Sequence, residues 1–228
     1  MLDPNQTVAD LVLDHSECAS VFKRHRIDFC CRGDLSIRAA CERGGVDVDA
    51  LVDELSHAVA SRAERAEVDP RTLSSAALIA RIVSRHHEPL RHALPFVQAL
   101  AAKVARVHGG HNPKLHDLDS AVQELVAALL PHLDVEEQSL FPALEQPSAT
   151  SAEIIARGLS EMYEEHLAVG AMLERVRDAT EDYSLPEWAC TSYRTLFKEL
   201  SVLEEDLTTH IHLENHVLMP RYVAASAS

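Results

Sequence analysis

Apolar residues recur at steps of three and four along most of this chain, the period of a helix with one buried face. From about Leu73 onward the pattern forms four long runs, near 73–107, 117–141, 151–180 and 187–219. The breaks fall at Gly109-Gly110, at Pro142 to Thr150 and at Ser184-Leu185-Pro186, where Gly and Pro end helices. Short connections make successive helices antiparallel neighbours, so 73–224 is expected to be an up-down-up-down four-helix bundle in an all-α chain. Residues 1–60 predict a small helical domain. Thr7 caps a first helix carrying Val8, Leu11, Val12, Val21 and Phe22. Ser36 caps a second over Ile37 to Glu42, ended by Gly44-Gly45, and Asp47 starts a third through Leu51 and Leu55. The charged stretch 61–72 reads as a linker.

The bundle pattern repeats itself. Leu118, Val122, Leu125, Leu129, His132, Glu136 and Leu140 of the second run recur 78 positions later as Leu196, Leu200, Leu203, Leu207, His210, Glu214 and Leu218, and Pro142 recurs as Pro220. Val83, His87, Leu90 and Leu94 of the first run recur 79 positions later as Met162, His166, Val169 and Leu173. The bundle is therefore expected to be a duplicated helical hairpin. In each half a histidine and a His-x-x-x-Glu pair interrupt a stripe that faces the core. A lone buried histidine is usually satisfied individually. Two such sets in register point to a common cause, because a buried imidazole and carboxylate are expensive unless both are engaged.

Composition narrows the chemistry. The net charge is −15 with histidine neutral, which repels phosphate backbones and excludes nucleic acid as an expected partner. No apolar run is long enough to span a membrane, and the N-terminus has no signal-peptide pattern. Five cysteines, two of them adjacent, make a poor disulfide framework, and a reducing cytoplasm is the expected location. The 14 histidines invite a search for a metal site.

Residues four apart lie side by side on a helix, so each His-x-x-x-Glu pair can share an ion. With His87 and His166 added, the set is four imidazoles and two carboxylates: His87, His132, Glu136, His166, His210 and Glu214. Mixed nitrogen and oxygen donors suit iron or manganese better than calcium or magnesium, and six donors exceed a closed tetrahedral zinc site. Two metal ions are expected, with both glutamates shared, room for a bridging oxygen and an open position for a diatomic ligand. His86, His92, His108, His111, His116, His212 and His216 have no counterpart in the repeat and are expected at the surface or behind the ligands. Glu137 and Asn215, next to the ligand glutamates, are placed there too.

These residues resemble the hemerythrin-like domain and, more narrowly, the iron–sulfur cluster repair di-iron family (repair of iron centres). The resemblance covers nearly the whole chain. It rests on Asp28-Phe29-Cys30-Cys31 with Cys41, on Arg85-His86-His87 and Glu164-Glu165-His166, and on the segments His132 to Pro142 and His210 to Pro220. It implies a non-haem di-iron centre, oxo- or hydroxo-bridged, with Glu136 and Glu214 bridging. It also implies repair of iron–sulfur clusters damaged by nitric oxide or oxidants, with damaged iron–sulfur proteins as clients. Two routes come with it: donation of iron, or binding of nitric oxide and its reduction to nitrous oxide. A hemerythrin-like dioxygen or redox sensor is the alternative, but it has no need of the cysteine-bearing N-terminal unit. The family's Cys-Cys-Gly-Gly is here Cys30-Cys31-Arg32-Gly33. Arg32 gives up a residue tolerant of positive φ and is expected to favour thiolate, giving Cys30 and Cys31 a redox or metal-reactive role. Cys18 and Cys190 are expected to be structural.

Overall fold

A computed structural model describes residues 2–61, 68–148 and 151–223. These fall into two compact units: Met1–Ser74 with Ile211–Arg221, and Ser75–His210 with the residues from Tyr222 onward. Half of the expected linker, at 62–67, lies outside the described residues. The part that is described ends in a short 3-10 turn, Pro70–Thr72.

The first unit holds helices α1 (Val8–Asp14), α2 (Cys18–Arg24), α3 (Ile37–Gly44) and α4 (Val48–Ala60). Thr7, Ser36 and Asp47 each accept a bond from the third residue beyond, capping α1, α3 and α4 as expected. The single first helix expected from the sequence is two helices, broken at His15 to Glu17. A straight helix advances about 100° per residue, so Val21 would stand roughly half a turn round from Val12. Both are buried, and the break lets both face one core. Between α2 and α3 the chain folds into a tight loop. Asp28 Oδ1 accepts the backbone N–H groups of Cys30 (3.1 Å) and Cys31 (2.8 Å). The Gly33 carbonyl accepts from Ala9 N at 2.8 Å, and a Cβ at Gly33 would lie 2.4 Å from the Phe29 carbonyl oxygen. Glycine is needed here for space rather than for φ.

The second unit is an all-α bundle. Its helices are α5 (Ser75–Ile82) and α6 (Glu88–His108), α7 (Lys114–Val135) and α8 (Phe141–Glu145), α9 (Ala152–Thr180), and α10 (Thr191–Leu213), which is followed by α11 (Pro220–Val223). Directions follow from paired contacts. Gln98 meets Gln123 and Arg91 meets Asp134; Glu124 meets Arg175 and His132 meets Glu165; Lys103 meets Ser192 and His87 meets His210. In each set one number falls as the other rises, so each pair of helices is antiparallel. The leucine stripes of α7 and α10 are buried.

Among the described residues three π turns interrupt the helices: Val83–His87, Glu136–Leu140 and Glu214–Leu218. Each is closed by a bond from residue i to i−5: Glu88 to Val83, Phe141 to Glu136, Met219 to Glu214. The next residue is proline every time: Pro89, Pro142 and Pro220. A proline has no N–H to donate, and its ring crowds the carbonyl four residues back; the wider turn accommodates both. Two expectations are corrected here. The second helical run does not stop at Pro142 but continues to Glu145, because proline is harmless in the first turn of a renewed helix. Val83 is only half-buried, and Ile82 takes its core place, because the wide turn makes the step from the core position to His87 five residues rather than four.

Substituting Gly33→Ala should destabilise the protein by about 1–3 kcal/mol, the usual effect of overpacking. Urea unfolding followed by circular dichroism checks this. Unchanged stability would show that the loop is not packed as described.

Candidate metal centre

Two of the π turns begin at Glu136 and Glu214 and the third ends at His87, so all three carry expected ligands. His132, His166 and His210 lie on regular helix. All six side chains are buried, with exposures between 0 and 5 %. His87 Nε2 lies 3.0 Å from His210 Nε2 and 3.6 Å from Glu136 Oε2. His132 Nε2 lies 3.4 Å from Glu136 Oε1, and the His132 and His166 rings are 5.1 Å apart, edge to face. His87, Glu136 and His210 therefore form one group and His132, Glu136 and His166 another, with ligand-type atoms inside each within 4.8 Å of one another. One oxygen of Glu136 faces each group. Glu214 follows His210 by four residues in an unbroken helical run, which repeats the spacing of His132 and Glu136.

The donor set fits a metal ion. Two nitrogens bound to one ion at about 2.1 Å and at right angles stand about 3.0 Å apart, the separation seen between His87 and His210. The outer ring nitrogens are held as well. His87 Nδ1 is 3.0 Å from Glu137 Oε1, and His132 Nδ1 is 2.6 Å from Glu165 Oε2. A ring that donates Nδ1–H to a carboxylate turns the Nε2 lone pair inward, as metal-binding histidines do. Burial raises the Glu137 carboxyl, but hydrogen bonds from Arg91 and His87 outweigh it and hold the group below its ordinary range.

The remaining histidines divide. His92, His111 and His116 are exposed. His86 is buried, stacks on His210 at 5.6 Å and bonds Asp206 at 2.7 Å. His212, Asn215 and His216 bind the cysteine loop: His212 Nδ1 is 3.1 Å from the Phe29 carbonyl, while Asn215 Nδ2 and His216 Nε2 each approach the Cys30 carbonyl at 2.9 Å. Burial, reinforced by the His216 charge, pushes His212 down to about 3 against the pull of the Phe29 carbonyl, so it is neutral. The sequence carries a signal for this. The repeat puts Asp134, Glu137 and Gln138 at the positions of His212, Asn215 and His216, and the second helix leaves all three at least partly exposed. Glu165 and Asp206 carry no such signal, because exposed carboxylates are common on helices.

The cysteines correct two expectations. Cys30 and Cys31 are buried with their sulfurs 3.6 Å apart. The hydrogen bond with Cys31, burial and the Asp28 charge push the Cys30 thiol well above its ordinary range. Arg32 is exposed and has no positive φ, so it neither strains the loop nor stabilises a thiolate at Cys30. Cys18 is buried, and burial with the Glu17 charge pushes it up to about 12. Cys190 is exposed, with Sγ 3.1 Å from His108 Nε2.

Comparison with known proteins identifies both segments of the chain. The profile of the Hemerythrin HHE cation binding domain matches residues 78–222, and a domain of unknown function (DUF542) matches residues 4–59. The bundle is thus of the hemerythrin class. Over 227 residues the chain is 32 % identical to the iron-sulfur cluster repair protein ScdA of Staphylococcus haemolyticus, covering 97 % of this chain and all of the relative. It is 33 % identical over 217 residues to the iron-sulfur cluster repair protein YtfE of Yersinia pseudotuberculosis, covering 95 % and 96 %. The chain belongs to the iron–sulfur cluster repair family represented by ScdA and YtfE. No helix among the described residues is long and apolar enough to cross a membrane.

Of the five thiols, only Cys190 should react quickly with an aromatic disulfide reagent in the native protein, and Cys190→Ser should abolish that phase. The other four should react only on unfolding. A second fast thiol would show that the Cys30–Cys31 loop opens readily.

Proposed function

We propose that the protein restores iron–sulfur clusters damaged by nitric oxide or oxidants, using two iron ions held in the bundle. His87 and His210 would hold one ion and His132 and His166 the other, with the carboxylates Glu136 and Glu214 completing the donor set. The observation that carries this reading is Glu136, whose two oxygens each face a different imidazole group. The names of the relatives supply the clients: iron–sulfur proteins. A ferrous pair supplies labile iron, two electrons and coordination positions for a diatomic ligand. The chain's own residues do the rest. Glu137 and Glu165 orient His87 and His132, the leucine stripes exclude water, and the buried carboxylates balance the charge of the ions. Either iron donation or reduction of nitric oxide to nitrous oxide is open to such a site. Cys30 and Cys31, buried with their sulfurs 3.6 Å apart, form a second candidate element that is closed at rest. The composition of the chain favours this over dioxygen sensing, since the relatives named for repair share both segments end to end.

Reconstituted without oxygen, the protein should hold two irons per chain, and His132→Ala with His210→Ala should hold close to none. Glu165→Gln should keep the fold and weaken iron binding by about 10- to 100-fold, the usual effect of losing a carboxylate behind a histidine ligand. Mixed with a nitrosylated iron–sulfur enzyme, the loaded protein should restore activity and the double variant should not. With a chemical electron donor added to re-reduce the irons, nitrous oxide beyond one turnover marks reduction; stoichiometric loss of iron to the client marks donation. Reversible dioxygen binding with neither outcome would overturn the repair reading.

A further inference from the structure

The Asp28–Gly33 loop holds a second set of metal donors that the bundle chemistry does not use. Neighbouring side chains normally diverge, alternating across a strand or about 100° apart on a helix. Here the sulfurs of Cys30 and Cys31 lie 3.6 Å apart, and Asp28 Oδ1 is 3.2 Å from Cys30 Sγ. All three ligand-type atoms are within 4.8 Å of one another.

The loop is built to keep that arrangement. Asp28 Oδ1 fixes the backbone N–H groups of both cysteines. Asn215 and His216 both bind the Cys30 carbonyl, and His212 binds that of Phe29. Gly33 leaves no room for the chain to shift toward Phe29 or Ala9. Both thiols are buried. Cys18 and Cys41 are buried as well, but neither belongs to a comparable group among the described residues.

We propose that Asp28, Cys30 and Cys31 form a binding site for one thiophilic divalent cation of the zinc and cadmium type. Two sulfurs bound to a tetrahedral zinc at about 2.3 Å stand about 3.8 Å apart, and a sulfur and a carboxylate oxygen about 3.5 Å apart. The observed 3.6 and 3.2 Å need shifts of only a few tenths of an ångström. Thiolate donors select such ions over calcium or magnesium. On binding, each thiol loses its proton to solvent and a metal–sulfur bond replaces the S–H bond, so one ion releases two protons with no change of oxidation state. Three protein donors leave the fourth position to an exchangeable ligand, which makes the site suited to handing an ion on rather than locking it into the fold. The proposal stands independently of the irons in the bundle.

The test is an anaerobic titration of the reduced, iron-loaded, full-length protein with cadmium ion, equilibrated at each step and followed by the ultraviolet thiolate-to-cadmium charge-transfer band. One equivalent should bind per chain with release of about two protons, a measurement that needs no variant. Cys30→Ser with Cys31→Ser should abolish the band, and Asp28→Asn should weaken binding tenfold or more. Cys190→Ser should leave the band unchanged, as should His132→Ala with His210→Ala, which separates this site from the bundle. Absence of the band in the unsubstituted protein overturns the proposal. So does a band lost on Cys190→Ser, and undiminished affinity in Asp28→Asn removes the three-donor site.

Discussion

Glu136 is the constraint around which the bundle is organised. A carboxylate with 1 % exposure in a stripe of leucines is a large electrostatic liability, and the helix cannot rotate it to water without exposing Leu125, Leu129 and Leu140. Its two oxygens face two groups of imidazoles instead, and one imidazole of each group, His87 and His132, is itself backed by a carboxylate nearer the surface. Acceptors and imidazoles thus alternate outward from the core, from carboxylate to imidazole to carboxylate. Arg91 closes the series on one side by bonding Glu137 and Asp134. A cation between the imidazoles completes the pattern, which is why metal binding is a property of the packing as a whole.

The π turns are the local means to this end. An inserted residue widens the helix and changes which side chains share a face beyond it. At Val83–His87 this puts Ile82 in the core and still brings His87 inward. The prolines that follow make the wide turn the easier conformation, so the distortion is written into the covalent structure rather than imposed by a ligand. The third helix has no proline after His166 and no π turn. The duplication is therefore faithful in its ligands and unequal in its backbone.

The sequence makes the bundle readable because its signals are periodic and occur twice. The leucine stripes fix the faces, the offsets of 78 and 79 pair the helices, and the six polar interruptions stand out against apolar neighbours. What it conceals depends on single contacts at long range. Glu165 and Asp206 look like ordinary surface acids until His132 and His86 are placed beside them. The break after Asp14 is hidden because Val8 to Phe22 satisfies a helical period only in part. Arg32 misleads for a different reason: adjacency in sequence suggests an electrostatic effect on the thiols, but its side chain is in water. The π turns at Glu136 and Glu214 could have been anticipated from Pro142 and Pro220, each six residues beyond a polar core position.

Where the two halves of the repeat differ, the difference itself is informative. Asp134, Glu137 and Gln138 of the second helix give way to His212, Asn215 and His216 in the fourth, and at 210–219 the fourth helix is buried on nearly every side. The replacements are the residues that bind the carbonyls of Phe29 and Cys30. Asn215 and His216 belong to the same π turn as Glu214. The backbone that presents this glutamate is therefore held through its own turn by the loop that carries the cysteine pair. A displacement of Cys30 is felt at Asn215 and His216, and neither can move far without moving the peptide units on either side of Glu214. The loop that carries the cysteine pair and the turn that carries Glu214 are thus packed as one element.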